Sequence, residues 1–367
     1  MIPYLIDAHE DLAYNIIAFG RDYTQSAKMI RIKEKGTNIP EITGQSLLGW
    51  DDYQAGQVAL VFGTLFSVPV RFQGQQPDAV AFRSTAQAYQ ITKTQLDAYY
   101  RLAEENPQKY RLVLTRADLS DVLRPWQNRR EGETSPVKYP VGIVVSMESA
   151  EGLQRVEEVE EWWEAGVRLI GPVWGGTRFC GGTKEQMPFT NEGFALLDRM
   201  AETGFGLDVA HMSDLSIQTS LDRYSGTILC SHGNVRSRLI GGTGERQLTD
   251  LAIRRIAERD GVIGVVPFNH FLKADWVSTH PREQVTLDHL IAHIDAICQL
   301  TGSANHAAIG TDFDGLFGWP DVPLEINTIA DMKELASKLL EQGYTQDDVD
   351  KIFHGNWQRM VERILPS

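Results

Sequence analysis

The sequence predicts a (β/α)8 barrel of the TIM type, and three observations predict it. Eight short apolar runs begin near residues 4, 57, 141, 167, 205, 227, 261 and 307. Most are followed by a stretch of helical periodicity, and alternating β and α segments with fully apolar strands argue for a parallel sheet covered on its outer face. No Gly-x-Gly-x-x-Gly follows the first run, so the nucleotide-binding form of the alternative, a doubly wound open sheet, has no support. At 367 residues, 42% of them hydrophobic and 23% charged, one barrel with insertions accounts for the whole chain, 1–367, as a single domain.

The elements follow in order. Tyr4-Leu5-Ile6 is a short buried strand running into Asp7-Ala8-His9-Glu10-Asp11. Residues 20–49, with Lys28, Arg31, Lys33 and Lys35 near the middle, form an excursion over the barrel mouth. Gln57 to Val68 is the second strand. Residues 78–105 read as a long helix, capped by Asp78 after Pro77 and stopped near Asn106-Pro107. An extra strand, Tyr110 to Leu114, and a short helix, Thr115 to Leu123, precede a Pro-, Arg- and Glu-rich surface loop at 124–139. Val141 to Met147 is a strand ending at Glu148, followed by a helix over Glu151–Ala165. Val167 to Gly171 is a strand before a Gly-rich loop, 171–188, that holds Trp174, Arg178 and Cys180. A helix over 191–203 can be ended by Gly204. Strands then end at His211 and at His232, with Ser213 or Asp214 capping the helix between them. A helix at 249–259, a strand at Gly261–Pro267, a helix at 286–301 and a strand at Ala307–Gly310 lead to Thr311-Asp312. Helices over Asp331–Glu341 and Gln346–Ile364 close the chain.

A net charge of -14 argues against nucleic-acid and anionic-membrane partners. The three cysteines are scattered, which speaks against a disulfide framework or a CxxC zinc knot, and Cys230 and Cys298 sit in apolar patterns as buried thiols. No basic region leads into a long apolar run, and no stretch of about 20 apolar residues could span a bilayer. The expectation is a cytoplasmic protein without a signal peptide, a homodimer on base rates alone.

Chemistry-bearing residues fall just past strand ends: His9 and Asp11, Glu148, His211, His232 and Asp312. His9 and Asp11 are two apart on extended backbone, so both point the same way. In a barrel all six positions open on the C-terminal rim. Singly each has an ordinary explanation: a satisfied core or loop histidine, a carboxylate at a helix N-terminus, a turn in Gly-Thr-Asp-Phe-Asp-Gly. Jointly they suggest a metal site, because buried charges are costly unless paired or metal-bound. Imidazole with carboxylate and no thiolate suits Zn²⁺, with Mn²⁺, Co²⁺ or Fe²⁺ as substitutes. Five donors exceed one catalytic zinc with an open position. They fit two ions sharing Glu148, with His9 and Asp11 on one and His211 and His232 on the other. Two ions about 3.5–4 Å apart can share a hydroxide and clamp a carbonyl. Asp312 is left as the base that moves the water proton to a leaving amine. The expectation is hydrolysis of an amide or ester.

The stretches Ile6-Asp7-Ala8-His9-Glu10-Asp11-Leu12, Ser146-Met147-Glu148, Asp208-Val209-Ala210-His211-Met212-Ser213, Ser231-His232-Gly233-Asn234 and Ile309-Gly310-Thr311-Asp312-Phe313-Asp314-Gly315 resemble the renal (membrane) dipeptidase family of zinc metallopeptidases, among the amidohydrolase-like barrels. Gly355-Asn356-Trp357 resembles that family's closing helix. The resemblance covers nearly the whole chain in order. It implies a metal-dependent hydrolase with two zinc ions that cleaves dipeptides, in some cases with a D-residue at the C-terminal position. It also implies an arginine that grips the substrate carboxylate, a role for which Arg246 fits and Arg236 and Arg238 are substitutes. Two departures stand out. Trp174 occupies the place where the family usually carries a carbonyl-polarising histidine, and indole donates one hydrogen bond and carries no charge. Glu148 is followed by Ser149-Ala150 rather than two glycines. Trp174 therefore keeps open a related hydrolase acting on another small amide or a lactone. A metal-binding scaffold without catalysis is the third reading, and the presence of Asp312 speaks against it.

Overall fold

Eight parallel strands form the barrel, in chain order β1 (Leu5–Glu10), β2 (Val58–Phe66), β3 (Val141–Glu148), β4 (Val167–Gly171), β5 (Gly206–Asp208), β6 (Ile228–Leu229), β7 (Ile263–Val265) and β8 (Ala307–Ile309). The structure, a computed structural model, describes residues 3–128, 138–239 and 246–367. Neighbouring strands pair in order from β1 to β6, and β7 pairs with β8. A bridge between Cys230 and Ile263 joins the two sets, and a bridge between Glu10 and Phe313 closes the ring. The fold class is the expected one, because every one of these runs is buried along its length and a doubly covered parallel sheet requires that. The short strand Tyr110–Leu112 adds to the start of β3.

Ile6, Ala8, Leu60, Phe62, Val144, Leu169, Leu229 and Ala308 come from strands all round the ring and form one buried cluster with Trp357, Met360 and Ile364 of the last helix. They fill the barrel interior, and the last helix plugs its lower end. Trp357 Nε1 donates to the Ile309 carbonyl at 2.8 Å, and Asn356 Nδ2 donates to Ala304 and Ala307 at 2.7 and 2.8 Å. The final helical stretch contains a π-turn over Lys351–Gly355 just before these residues. A larger cluster joins the outer strand faces to the surrounding helices. On the side of β6 to β8 the packing depends on glycine. A Cβ on Gly264 or Gly310 would lie 2.0 or 1.9 Å from the Ser231 carbonyl oxygen.

Three boundaries differ from the expectation. The long helix begins at Thr85, because Ser84 supplies the cap to the Gln87 N–H, and Asp78–Val80 is a 3-10 turn. The helix expected over Glu151–Ala165 shrinks to Val159–Glu164. The Glu151 carboxylate is taken by Arg178, at 2.6 Å from Nη1 and 3.1 Å from the backbone N–H, which ties the Gly-rich loop down. The short helix after Thr115 continues to Gln127 with Pro125 inside it; most of the expected loop, 129–137, lies outside the described residues. Cys298 is only partly buried, at the helix edge, whereas Cys180 and Cys230 are fully buried.

The excursion at 20–49 is anchored over the C-terminal rim by one carboxylate. Asp314, fully buried, accepts from Tyr23 Oη (2.8 Å), Ser46 Oγ (2.7 Å) and Leu47 N (2.7 Å), and lies 3.1 Å from Arg21 Nη1. Four donors around a buried carboxylate offset its desolvation.

Candidate metal centre

The rim above β1 is shaped by a bulge. Asp7 pairs with Val61 and Glu10 with Gly63, so three steps along β1 match two along β2. The extra residue reverses the alternation. Ile6 and Ala8 face the barrel interior; beyond the bulge His9 and Asp11 take that face, and Glu10 turns to the Tyr53 hydroxyl. Bulges are a common means of re-aiming side chains beside active sites. Glu148 ends β3 on the same inward face as Val144 and Ser146. His211 and Asp312, in the loops after β5 and β8, have φ of 65° and 57°. Ser149, Asp314 and Leu316 also have positive φ, so unfavourable backbone is concentrated around this rim, as at many functional sites.

All six of the expected donors meet there. His9 Nε2 is 3.4 Å from Glu148 Oε2, and His211 Nε2 is 2.8 Å from Glu148 Oε1. His232 Nε2 is 3.8 Å from that second oxygen and 2.9 Å from His211 Nε2. Asp11 Oδ2 and Asp312 Oδ1 are each 3.8 Å from His9 Nε2. Among the described residues, two sets therefore have the compactness of a cation site: His9, Glu148 and His232, and His9, Asp11 and Asp312. In the second set Asp312 is placed as closely as Asp11.

A hydroxyl stands behind each imidazole. Thr64 Oγ1 is 3.3 Å from His9 Nδ1, Thr183 Oγ1 is 3.2 Å from His211 Nδ1, and Ser231 Oγ is 2.8 Å from His232 Nδ1. Asp208 accepts the Ser231 hydroxyl proton and the Ser231 N–H. Thr183 donates to the His211 carbonyl at 3.2 Å. Ser231, its proton on Asp208, offers Nδ1–H of His232 only a lone pair, which leaves Nε2 of His232 bare and directed at the centre; Thr183 leaves His211 Nε2 bare in the same way when it donates to the His211 carbonyl. Oriented imidazoles of this kind are the usual surroundings of a bound metal. These hydroxyls and Asp208 carry the orientation, and sequence reasoning gave them no role. The one available signal was the position of Ser231 beside a ligand candidate and of Asp208 at a strand end.

Charge is distributed accordingly. Burial, then Arg246, pushes the His211 pKa down to about 4; burial and His9 take His232 well below the ordinary imidazole value. Burial alone would raise Glu148, but His211 and His9 hold it below the usual carboxylate range. His9 is the opposite case, with burial outweighed by Glu148 and Asp11, so its pKa rises. Burial lifts Asp312 well above the carboxylate range, with His9 opposing and Asp11 adding to it. The donor set fits divalent ions: His9 Nε2 and Asp11 Oδ1 are buried without a hydrogen-bond partner, and two bare imidazoles flank an ionised carboxylate.

Beside the carboxylates lies a cleft of about 170 Å³, lined by Trp174, Phe66, Phe268, Phe271, Leu316 and Phe317 together with Asp11, Glu148, His211 and Asp312. Trp174 packs edge-on to Phe66, and its ring is 6.0 Å from that of His211. The phenylalanines had no place in the sequence reading. Of the three candidate arginines, Arg246 reaches this site. Its Nη2 donates to the His232 carbonyl at 3.2 Å, its guanidinium is 5.6 Å from the Phe271 ring, and its Nε is buried without a partner. Arg236 is committed to Asp214 at 2.7 and 2.8 Å, and Arg238 sits in an exposed turn. The neighbouring Glu245 lies outside the described residues.

Comparison with known proteins points the same way. The family model described as membrane dipeptidase (peptidase family M19) matches residues 3–365. An uncharacterized protein in the pqqA 5' region of Klebsiella pneumoniae is 28% identical over 234 residues, 61% of this chain and 82% of that protein. The fold matches the crystal structure of dipeptidase AC, an M19 metallopeptidase, with a TM-score of 0.80 at 18% identity over 100% of both chains. It also matches a metallopeptidase from Rhodobacter sphaeroides, liganded with a phosphinate mimic of L-Ala-D-Ala, with a TM-score of 0.79 at 18% identity over 99% of both chains.

Proposed function

The chain belongs to the membrane dipeptidase family of metallopeptidases, and from that premise we propose that it hydrolyses the amide bond of dipeptides, L,D-dipeptides among them, with two zinc ions held by His9, Asp11, Glu148, His211 and His232. Other divalent ions can substitute. The observation that carries this reading is the convergence of three hydroxyl-backed imidazoles on the two oxygens of Glu148. When bound, such an ion pair supplies an acidified water and Lewis-acid polarisation of the scissile carbonyl.

The protein's own groups do the rest. Asp312, on the rim 3.8 Å from His9 Nε2, accepts the proton of the attacking water and passes it to the leaving nitrogen as the C–N bond breaks. Oxygen from water ends on the acyl carbon, and the amine leaves protonated. Arg246, with a buried N–H left over, holds the carboxylate of the leaving amino acid by paired hydrogen bonds. Trp174 walls the cleft and can donate one hydrogen bond at most. The chain works as one barrel domain. Its three cysteines are free, which supports a reducing, cytoplasmic setting, and no described helix is long and apolar enough to cross a membrane. A homodimer is the assembly expected on base rates.

Trp174 favours a second reading, a hydrolase of another small amide or a lactone. A panel of L,L- and L,D-dipeptides, N-acyl amino acids and lactones, offered to zinc-loaded protein, separates the two. Turnover of dipeptides is the expected result. Turnover confined to other amides or lactones transfers the assignment, and no turnover with two metals bound supports a non-catalytic metal protein.

A further inference from the structure

The cleft has two sides: Phe268, Phe271 and Phe317 pack together on the side where Arg246 meets the Phe271 ring, and a separate apolar cluster stands on the other. Phe66, at the end of β2, Trp174, after β4, and Leu316, after β8, belong to a satellite apolar cluster at the barrel mouth, built on Tyr14, Val68 and Val80. Arg246 lies in the loop after β6, and in an eight-stranded ring β6 stands opposite β2. A substrate anchored by its carboxylate at Arg246 and reacting beside Glu148 and Asp312 must send its acyl portion away from Arg246, toward that apolar wall. The charged side chains lining the cleft are Asp11, Glu148, His211 and Asp312, all of them members of the metal centre. Among the described residues lining the cleft, none is left over to receive a charged side chain on the acyl side. Lys184, exposed, stands 5.8 Å from the Trp174 ring and is a competitor for an acidic one.

We infer that this enzyme selects dipeptides whose acyl-side residue carries a large apolar side chain, aromatic best, packed against Phe66, Trp174 and Leu316. The inference rests on the dipeptidase reading and extends it from reaction type to substrate class. Trp174 is then a specificity residue: its indole replaces a polar donor with a flat apolar surface, and Phe66 holds it edge-on at a ring separation of 5.5 Å. An apolar pocket discriminates by about 10- to 100-fold for a few added carbons, and that is the size of effect to be read.

The test uses zinc-loaded protein and a series X-Ala, with X as Gly, Ala, Leu, Phe, Asp or Lys and the C-terminal alanine in both L and D forms. The expected result is a kcat/KM for Phe and Leu at least about 10-fold above that for Ala, with Asp and Lys poorest. Trp174→Ala is expected to compress the Phe-to-Ala ratio severalfold. A flat series, a preference for Asp or Lys, or an unchanged ratio in Trp174→Ala overturns the inference. Should the variant fail to fold, the wild-type series decides alone. Phosphinate analogues of Gly-Ala and Phe-Ala provide a second readout. If no dipeptide is hydrolysed, the dipeptidase reading fails. Tighter inhibitor binding with Phe than with Gly then still supports the apolar wall, and equal binding overturns it.

Discussion

The Nε2 atoms of His211 and His232 lie 2.9 Å apart, and with the Thr183 proton on the His211 carbonyl and the Ser231 proton on Asp208 both nitrogens carry lone pairs. Two lone pairs at that distance repel unless a cation lies against them. Protonating one imidazole is the other way out, and burial pushes both pKa values down. A divalent ion resolves the conflict, and the bare nitrogens are evidence for one that does not depend on the family.

The proposed role of Asp312 as base can be tested apart from ligation. Asp312→Asn keeps the shape and removes the carboxylate. Both metals are expected to remain bound while kcat falls about 10²- to 10⁴-fold. Metal analysis beside steady-state kinetics checks this. Loss of an ion in the variant would make Asp312 a ligand, as its 3.8 Å approach to His9 allows.

Ser231→Ala tests the support behind His232. It removes the acceptor for Nδ1–H at 2.8 Å and leaves Asp208 without that hydroxyl. Metal affinity or activity is expected to drop about 10- to 100-fold, read by competition with a chelator. Wild-type affinity in Ser231→Ala would mean that packing alone orients the ring.

Gly315 is where the backbone crowds the carboxylates of Asp11 and Asp312. A Cβ there would lie 2.0 Å from Asp312 Oδ1, 2.8 Å from the Asp312 carbonyl oxygen and 2.9 Å from Asp11 Oδ2. Both carboxylates and the Asp312 backbone must shift, so Gly315→Ala is expected to lower the melting temperature and to lose activity by displacing them. A shift of about 1 Å costs on the order of 10²-fold. Thermal melts and kcat/KM together check the claim; normal activity would contradict it.

How much of this was legible depended on where strands end. Glu148, His211, His232 and Asp312 follow buried apolar runs, so their place on one rim could be read from the sequence. His9 and Asp11 could be paired by their spacing, but not the bulge that turns them inward, because it depends on the register of β1 against β2. Thr183 reaches His211 from a loop held by Arg178 and Glu151, a tertiary arrangement with no local signature. The start of the long helix was misplaced for a different reason. Asp78 and Ser84 are both good caps by chemistry, and the pairing of Ala81–Phe82 with Val68–Pro69 decided between them.

His293 contributes to loss of stability in acid, beside His211 and His354, whose pKa values burial likewise lowers to about 4. The Nδ1 of His293 accepts the Val235 N–H at 3.1 Å, so the folded protein needs the neutral ring. Burial, then Arg238 and His289, push its pKa down to about 4. The unfolded chain therefore binds a proton that the folded one refuses. Stability is full above the ordinary imidazole value of about 6.5 and falls as pH drops from there toward 4, by at most about 1.4 kcal/mol per pH unit. His293→Gln can still accept that hydrogen bond and does not titrate. Denaturant unfolding from pH 7 to 4 is expected to show a shallower slope in the variant; the same slope in both would exclude His293 as a cause. Val235 also bridges to Leu248, so acid is expected to loosen the segment that carries Arg246.

The central claim is that one carboxylate joins two ions. An anomalous difference map from crystals of the zinc-loaded protein, recorded at the zinc edge, tests it most directly. The predicted result is two peaks about 3.5–4 Å apart, with Glu148 Oε1 against one and Oε2 against the other. A single peak, or a pair that leaves Glu148 out, would contradict it.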